Sequence, residues 1–81
     1  METRLAVISI IVEDSGEVDN INQLLHQHAQ YIVGRMGVPY RPRNVSVISV
    51  VMDAPQNVIS TLGGKLGMLK GVSSKTMYSK L

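Results

Sequence analysis

The chain contains an apolar segment that occurs twice. Residues 7–14, with the sequence VISIIVED, return forty positions later as VISVVMDA at residues 47–54. Each copy has the length, continuity and β-branched content of a buried strand. Apolar residues at helical spacing follow each copy, so the repeat predicts a strand followed by a helix in both halves of the chain.

The first predicted helix runs from about Ser15 to a point between Ala29 and Tyr31. Asp14 stands where an N-cap side chain accepts hydrogen bonds from free backbone N–H groups, and Glu17 is placed to reach back to it. The apolar residues at steps of three and four predict one buried stripe. This stripe consists of Val18, Ile21, Leu24, Leu25 and Ala29.

The second predicted helix runs from about Pro55 to Leu66. Asp53 is expected to cap it, with Gln56 reaching back. Proline suits a first helical turn because its missing N–H needs no partner there, and Gly67 is expected to end the helix. The apolar stripe consists of Val58, Ile59, Leu62 and Leu66.

Two further strands and one loop complete the predicted fold. The strands are expected at about Ile32 to Val38 and Val72 to Tyr78, with Pro39–Arg43 as a proline-punctuated connection. Two strand–helix–strand units in tandem are typical of the α+β, ferredoxin-like βαββαβ sandwich, a four-stranded antiparallel sheet with two helices on one face. We therefore predict a single domain over residues 1–81, with the first and third strands at the sheet centre.

The two central strands are apolar on both faces, although helices cover only one face of such a sheet. Charged residues make up only 17% of the chain, against roughly a quarter in soluble domains. We predict that the second face is the interface of a homo-oligomer, a dimer or a tetramer, with a monomer that exposes this face as the alternative. The predicted interface consists of Leu5, Val7, Ser9, Ile11, Val45, Val47, Ser49 and Val51.

Two segments are candidate ligand sites. The first is a basic loop whose side chains are suited to an anionic ligand or an acidic partner, with ordinary solvated charges as the alternative; it comprises Tyr40, Arg41 and Arg43. The second is the turn after the first strand, whose N–H groups are suited to a carboxylate, with helix capping alone as the alternative; it comprises Asp14, Ser15 and Gly16.

No residues form a recognised catalytic or metal-binding pattern. His26 and His28 lie about 200° apart around a helix, and the chain has no Cys to add a thiolate. Gly63-Gly64-Lys65 lacks both the earlier glycine and the Ser or Thr of a phosphate loop. No nucleophile–base pair can be named. We therefore expect no metal, no cofactor and no enzymatic activity.

The charge and the hydropathy pattern exclude two classes of partner. The formal net charge is only +2 and the basic residues are dispersed, so we expect no direct binding of nucleic acid. No stretch approaches the ~18 apolar residues of a membrane span. The first apolar run is short and ends in acidic residues, unlike a signal peptide, so we expect a cytoplasmic protein.

The sequence resembles a family of short proteins named as regulators of iron-only hydrogenase systems. The resemblance lies in residues 7–14, 32–41, 48–55 and 62–72, and IVGRMGVPYR at residues 32–41 is the most distinctive stretch. It implies a regulatory role, with a hydrogenase-system protein as a possible partner. The family is similar to ACT domains and to the ligand-binding half of nickel-responsive repressors.

These broader likenesses favour some mechanisms over others. ACT domains often bind amino acids near an Asp-x-x-Gly turn, whereas Asp14-Ser15-Gly16 is one residue shorter and has no proline. The His and Cys ligands of nickel repressors are not matched, and with only residues 1–4 before the first strand we expect no counterpart of their DNA-binding arm. Our leading hypothesis is an oligomeric ACT-like regulatory module that senses a small ligand or binds a protein partner. The alternative is an adaptor or scaffold that binds no small molecule and assembles through its open sheet face.

Overall fold

Four strands and two helices follow one another along the chain in the predicted order, strand–helix–strand twice. The structure, a computed structural model, describes residues 2–80, so residues 1 and 81 of the predicted domain lie outside the described part. The elements are β1 (Arg4–Val12), α1 (Val18–Gln27), β2 (Ile32–Tyr40), β3 (Val45–Ala54), α2 (Gln56–Gly67) and β4 (Val72–Tyr78). Short 3-10 turns at Ser15–Glu17, Ala29–Tyr31 and Arg41–Arg43 join them.

The strands form one antiparallel sheet in the order β2-β3-β1-β4. The two repeated segments are therefore the central strands, as the prediction required. Both helices pack on one face, and the α+β, ferredoxin-like βαββαβ architecture is confirmed. This arrangement follows because the two apolar strands are buried best between neighbours on both sides.

The core lies between the helices and one face of the sheet. Alternate residues of β1 and β3 point into it, and the apolar stripes of α1 and α2 cover them. Of the predicted stripe of α1, Ile21 and Leu25 are buried, whereas Ala29 is exposed. The buried residues are Ala6, Ile8, Ile10, Val12, Ile21, Leu25, Ile48, Val50, Met52, Ala54, Ile59, Leu62, Leu66 and Val72.

A pseudo-two-fold axis crosses the sheet at its centre. Ser9 is the register partner of Ser49, and the two serines occupy equivalent positions in the two copies of the repeat. A rotation of 180° about an axis perpendicular to the sheet, midway between the two serines, exchanges β1 with β3, and it also exchanges β2 with β4. The duplicated sequence is thus a duplicated structure.

The two halves differ at the start of their helices. Asp14 caps the turn before α1 as predicted, because its Oδ1 accepts a hydrogen bond of 2.9 Å from the backbone N–H of Gly16. Glu17 does not reach back, and its carboxylate instead accepts a hydrogen bond from Asn20. The predicted cap at Asp53 is wrong, because β3 continues to Ala54 and Asp53 is a strand residue.

The helix boundaries also differ from the predictions. Pro55 is the N-cap residue of α2 and makes no side-chain cap bond; its carbonyl oxygen accepts hydrogen bonds from two later N–H groups. The predicted first helix divides into α1 and the two 3-10 turns that flank it.

The predicted connection Pro39–Arg43 is wrong in its first two residues, because β2 runs to Tyr40. Proline is tolerated there because β2 is an edge strand, whose outer N–H groups need no partner in the sheet.

Candidate functional site

The two predicted ligand segments lie at the same end of the sheet. The register pairs the end of β1 with the start of β3 (Val12 with Ser46) and the end of β2 with the same start (Tyr40 with Val45). The turn at residues 13–17 and the loop at residues 41–44 are therefore neighbours, and we call them together the loop end of the sheet.

A small cavity of about 110 Å³ lies at the loop end. It brings together Ser15, Tyr40 and Arg41, which belong to two separate predicted segments. Asn44, which the sequence analysis missed, also lines it and has a left-handed backbone with φ of 52°. The remaining lining residues are Val12, Pro39, Val45 and Ser46.

Asp14 and Gly16 do not line this cavity and are hydrogen-bonded to each other. The Gly16 N–H donates to the Asp14 carboxylate, and the Glu17 N–H donates to the Asp14 carbonyl oxygen over 3.0 Å. Behind them, the Glu13 N–H donates to the carbonyl oxygen of Gly71 over 2.7 Å. The turn is thus a closed structural unit, and Ser15 is its contribution to the cavity.

The two loop arginines point to different places. Arg41 lines the cavity beside Ser15, whereas Arg43 lines a wider concavity on the opposite face of the sheet, with Ile11, Glu13, Val45 and Val47. Within residues 2–80 neither guanidinium makes a hydrogen bond or an ion pair. Arg4 and Arg35 donate hydrogen bonds to neutral oxygen atoms, so the two arginines of the loop end differ from them in having no hydrogen-bond partner in this part of the chain.

The face of the sheet opposite the helices carries all eight residues of the predicted interface. We call it the open face. Its side chains form cross-strand rows, with Val51 beside Val7, Ser49 beside Ser9 and Val47 beside Ile11. Leu5 is 44% exposed, so the face is uncovered by the rest of the described chain.

The edge strands extend the open face with residues that the sequence analysis missed. The register places Met36 beside Ser49 and Val38 beside Val47 on β2, and Lys75 beside Ser9 and Met77 beside Val7 on β4. Met36 is 66% exposed and Met77 is 70% exposed. The alternation of side chains along a strand separates its residues into two faces. Only the pairing register between strands shows which residues of the edge strands lie on the same face as the open-face residues of β1 and β3.

A third concavity, of about 490 Å³, lies between the helices and was also missed. Leu24, Met68 and Leu69 form its apolar part, and Met68 is 85% exposed. Amide side chains and one lysine complete the lining, namely Asn20, Gln23, Gln27 and Lys65.

The histidines are arranged as the helix spacing indicated. His26 is exposed, and His28 is half-buried with its Nδ1 donating a 2.8 Å hydrogen bond to the carbonyl oxygen of Leu24. In the part of the chain that the structure describes, no three His, Cys, Asp or Glu residues lie close enough together to hold a metal ion. Neither α1 nor α2 has the length and apolar character that crossing a bilayer requires, and no other helix between residues 2 and 80 has them.

Comparisons with solved structures show where this arrangement recurs. The uncharacterized protein TM1266 from Thermotoga maritima is 34% identical, and the match covers 98% of this chain and 100% of that chain with a TM-score of 0.93. The C-terminal domain of the MgtC protein from Mycobacterium tuberculosis is 12% identical over 95% of this chain and 88% of that chain, with a TM-score of 0.69.

A third similar structure is CPII, a nitrogen regulatory PII-like protein from Thiomonas intermedia K12, bound to ADP, AMP and bicarbonate. It is 14% identical over 98% of this chain and 99% of that chain, with a TM-score of 0.54. At 12–14% identity, the last two structures show a common fold alone.

The family comparison covers nearly the whole chain. None of the curated proteins matches the chain significantly. The sequence profile of the TM1266-like family, whose members are described as inferred regulators of iron-only hydrogenase systems, matches residues 4–76. This range contains both helices, three complete strands and most of β4. The chain belongs to the TM1266-like family.

Proposed function

We propose that the chain is a homo-oligomeric, ACT-like regulatory module of an iron-only hydrogenase system that senses a small anionic ligand at the loop end of its sheet. It acts in the cytoplasm and catalyses no reaction. The observation that carries this proposal is the loop-end cavity, where Arg41 has no partner of its own in residues 2–80 and lies beside the lining residues Ser15 and Tyr40.

The lining residues have the chemistry that an anionic group needs. A guanidinium donates two parallel hydrogen bonds to a carboxylate or a phosphate, and hydroxyl and amide side chains add further donors. Ser15, Tyr40 and Asn44 carry such groups. The cavity of about 110 Å³ is smaller than the ~300–1,000 Å³ of a typical ligand pocket. It therefore suits a single anionic group, while the rest of the ligand lies outside it.

Thermal denaturation in the presence of candidate ligands tests this proposal. The screen contains amino acids, small dicarboxylates, phosphate, nucleotides and divalent metals; bicarbonate is included because the PII-like neighbour binds it together with nucleotides. A ligand of the folded state at a hundredfold excess over its Kd stabilises by about 2.7 kcal/mol. For a chain of this size that raises Tm by roughly 10 °C or more. We expect this shift with at least one anion and with no divalent metal.

Two arginine variants provide the matched comparison. Arg41→Ala is expected to abolish the anion-induced shift in Tm, because it removes the guanidinium of the cavity. Arg43→Ala removes the same group two residues away, outside the cavity lining, and is expected to keep the shift at equal protein concentration. An anion-induced shift that survives in Arg41→Ala, or the absence of a shift with every anion, would overturn the site.

An adaptor that binds no small ligand is the second candidate function, and the uncovered open face favours it. In this case no ligand raises Tm, and a purified hydrogenase-maturation protein forms a complex with the chain. Substitutions on the open face then weaken this complex, whereas Arg41→Ala leaves it unchanged.

A further inference from the structure

We propose that the open face packs against the open face of a second copy of the chain, about a two-fold axis that runs parallel to the strands. The proposal concerns how the copies assemble and does not depend on the anion site. Its evidence is the composition of the open face, its symmetry and the positions of three charged side chains.

The size and composition of the open face match those of a dimer interface. Four strands about 4.8 Å apart and about nine residues long cover on the order of 600 Å² before side-chain relief is added. A standard interface buries about 800 Å² per partner. Leu5 is 44% exposed, and Met36 and Met77 are 66% and 70% exposed, so water contacts this apolar surface in the isolated chain.

The centre of the open face is self-complementary. Ser9 and Ser49 lie on either side of the pseudo-two-fold axis, and their hydroxyls have no hydrogen-bond partner in the described residues. Four β-branched side chains surround them, namely Val7, Ile11, Val47 and Val51. When two such faces meet, the serines of one copy lie over those of the other and can hydrogen-bond within an apolar ring. Buried hydroxyls require such partners, which favours a second copy over an unrelated apolar surface.

The charged residues select the direction of the two-fold axis. An axis across the strands would place β4 over β4, so Lys75 would face the second copy's Lys75. An axis along the strands places β4 over β2, so Lys75 faces Met36 instead. Juxtaposed like charges disfavour the first arrangement. An axis along the strands gives aligned sheet packing, with strands within about 30° of each other.

The same axis pairs the opposite charges at the loop end. Glu13 follows β1 and Arg43 precedes β3, and both line one concavity of the open face without an ion pair between them. An axis along the strands lays the end of β1 over the start of β3 of the second copy. Each Glu13 then lies over the second copy's Arg43, and two symmetric ion pairs close one end of the interface.

Mixing two charge-reversed variants tests this arrangement. By light scattering, the wild-type chain should have twice its mass of 8.9 kDa at micromolar concentration. Glu13→Lys and Arg43→Glu each create two like-charge contacts and should weaken the dimer by about tenfold or more. An equimolar mixture should regain the dimer as a heterodimer in native mass spectrometry, because both contacts become attractive. If a substitution weakened the dimer by disturbing the fold of its own chain, mixing the two variants would not restore the dimer.

Arg41→Glu serves as the control for position. It reverses a charge on the same loop outside the open face, so it should dimerise like the wild type. Its heterodimer with Glu13→Lys should be weaker than the heterodimer of the two charge-reversed variants, because only one of its two contacts is attractive. Circular dichroism checks the fold of each variant. If a charge reversal unfolds the chain, Glu13→Gln and Arg43→Gln replace it, and the dimer should weaken by a smaller factor.

Two results would overturn the proposal. If light scattering gives a mass of 8.9 kDa for the wild type at every concentration up to about 100 μM, the chain does not form a dimer with a micromolar Kd, and the proposal is wrong. A dimer that neither charge reversal weakens, or a mixture that stays monomeric, would rule out the axis along the strands.

Discussion

At the scale of single residues, Gly71 locks two distant parts of the chain together. Its φ is +70°, and an added Cβ would lie 2.7 Å from the Cβ of Asp14. Its carbonyl oxygen accepts the hydrogen bond from the Glu13 N–H. Glycine is required here both for its left-handed backbone and for the close approach of the two turns. The loop before β4 thereby supports the turn that carries Ser15.

Replacing Gly71 should therefore destabilise the fold. Gly71→Ala adds left-handed strain and a steric clash, and we expect the free energy of unfolding in urea to fall by about 2 kcal/mol or more. Gly64→Ala is the matched control, because Gly64 lies in α2 with no atom within 4 Å of an added Cβ. This variant should gain about 0.5–1 kcal/mol. Equal effects of the two substitutions, at equal protein concentration, would contradict this role of Gly71.

At the scale of secondary-structure elements, the two halves of the repeat have diverged at their strand-to-helix connections. Five residues with a 3-10 turn join β1 to α1, whereas Pro55 alone joins β3 to α2. Both halves have an aspartate near the end of the repeated strand, so the local sequence predicted the same cap twice. Only the longer connection leaves room for a capping turn, and of the two connections only this one contributes a residue, Ser15, to the loop-end cavity.

Equivalent substitutions in the two halves should therefore have different effects. Asp14→Ala removes the side-chain bond to the Gly16 N–H and should lower the free energy of unfolding by about 1 kcal/mol. Asp53→Ala removes an exposed strand side chain without a hydrogen-bond partner in the described residues. Asp53 is the register partner of Leu5 on the open face, so at a protein concentration where the chains are monomeric this substitution should change the free energy of unfolding by less than about 0.5 kcal/mol. Asp14→Asn should restore most of the loss, because its amide oxygen can accept the same bond. Urea denaturation of the three variants measures the difference, and a larger loss for Asp53→Ala would show that the caps are assigned to the wrong half.

At the scale of the whole molecule, both faces of the sheet are apolar at its centre, but the two helices of this short chain cover only one of them. A domain of this length buries only about 60–65% of the surface that its unfolded chain exposes. The open face adds apolar area that the isolated chain cannot bury. Its stability should consequently depend on association, since a dimer of folded chains is favoured by concentration.

The melting temperature should rise by several degrees when the protein concentration is raised about a hundredfold. Val47→Lys places a charge at the centre of the open face and should remove this dependence. Met68→Lys changes an exposed apolar residue beside the helices and should keep it. A melting temperature of the wild type that is independent of concentration would contradict coupling between folding and association.

The sequence by itself determined the fold, the central strands, most of the core and the two faces of β1 and β3. These features depend on periodicity within a segment and on its repetition, which are local properties of the chain. The tertiary structure decided which residues meet across segments. It joined Ser15 to Arg41, directed Arg43 to the opposite face and placed Met36 and Lys75 beside the central serines. It also kept Asp53 in its strand. Each of these outcomes depends on the register between strands that are distant in sequence, and no local pattern contains that register.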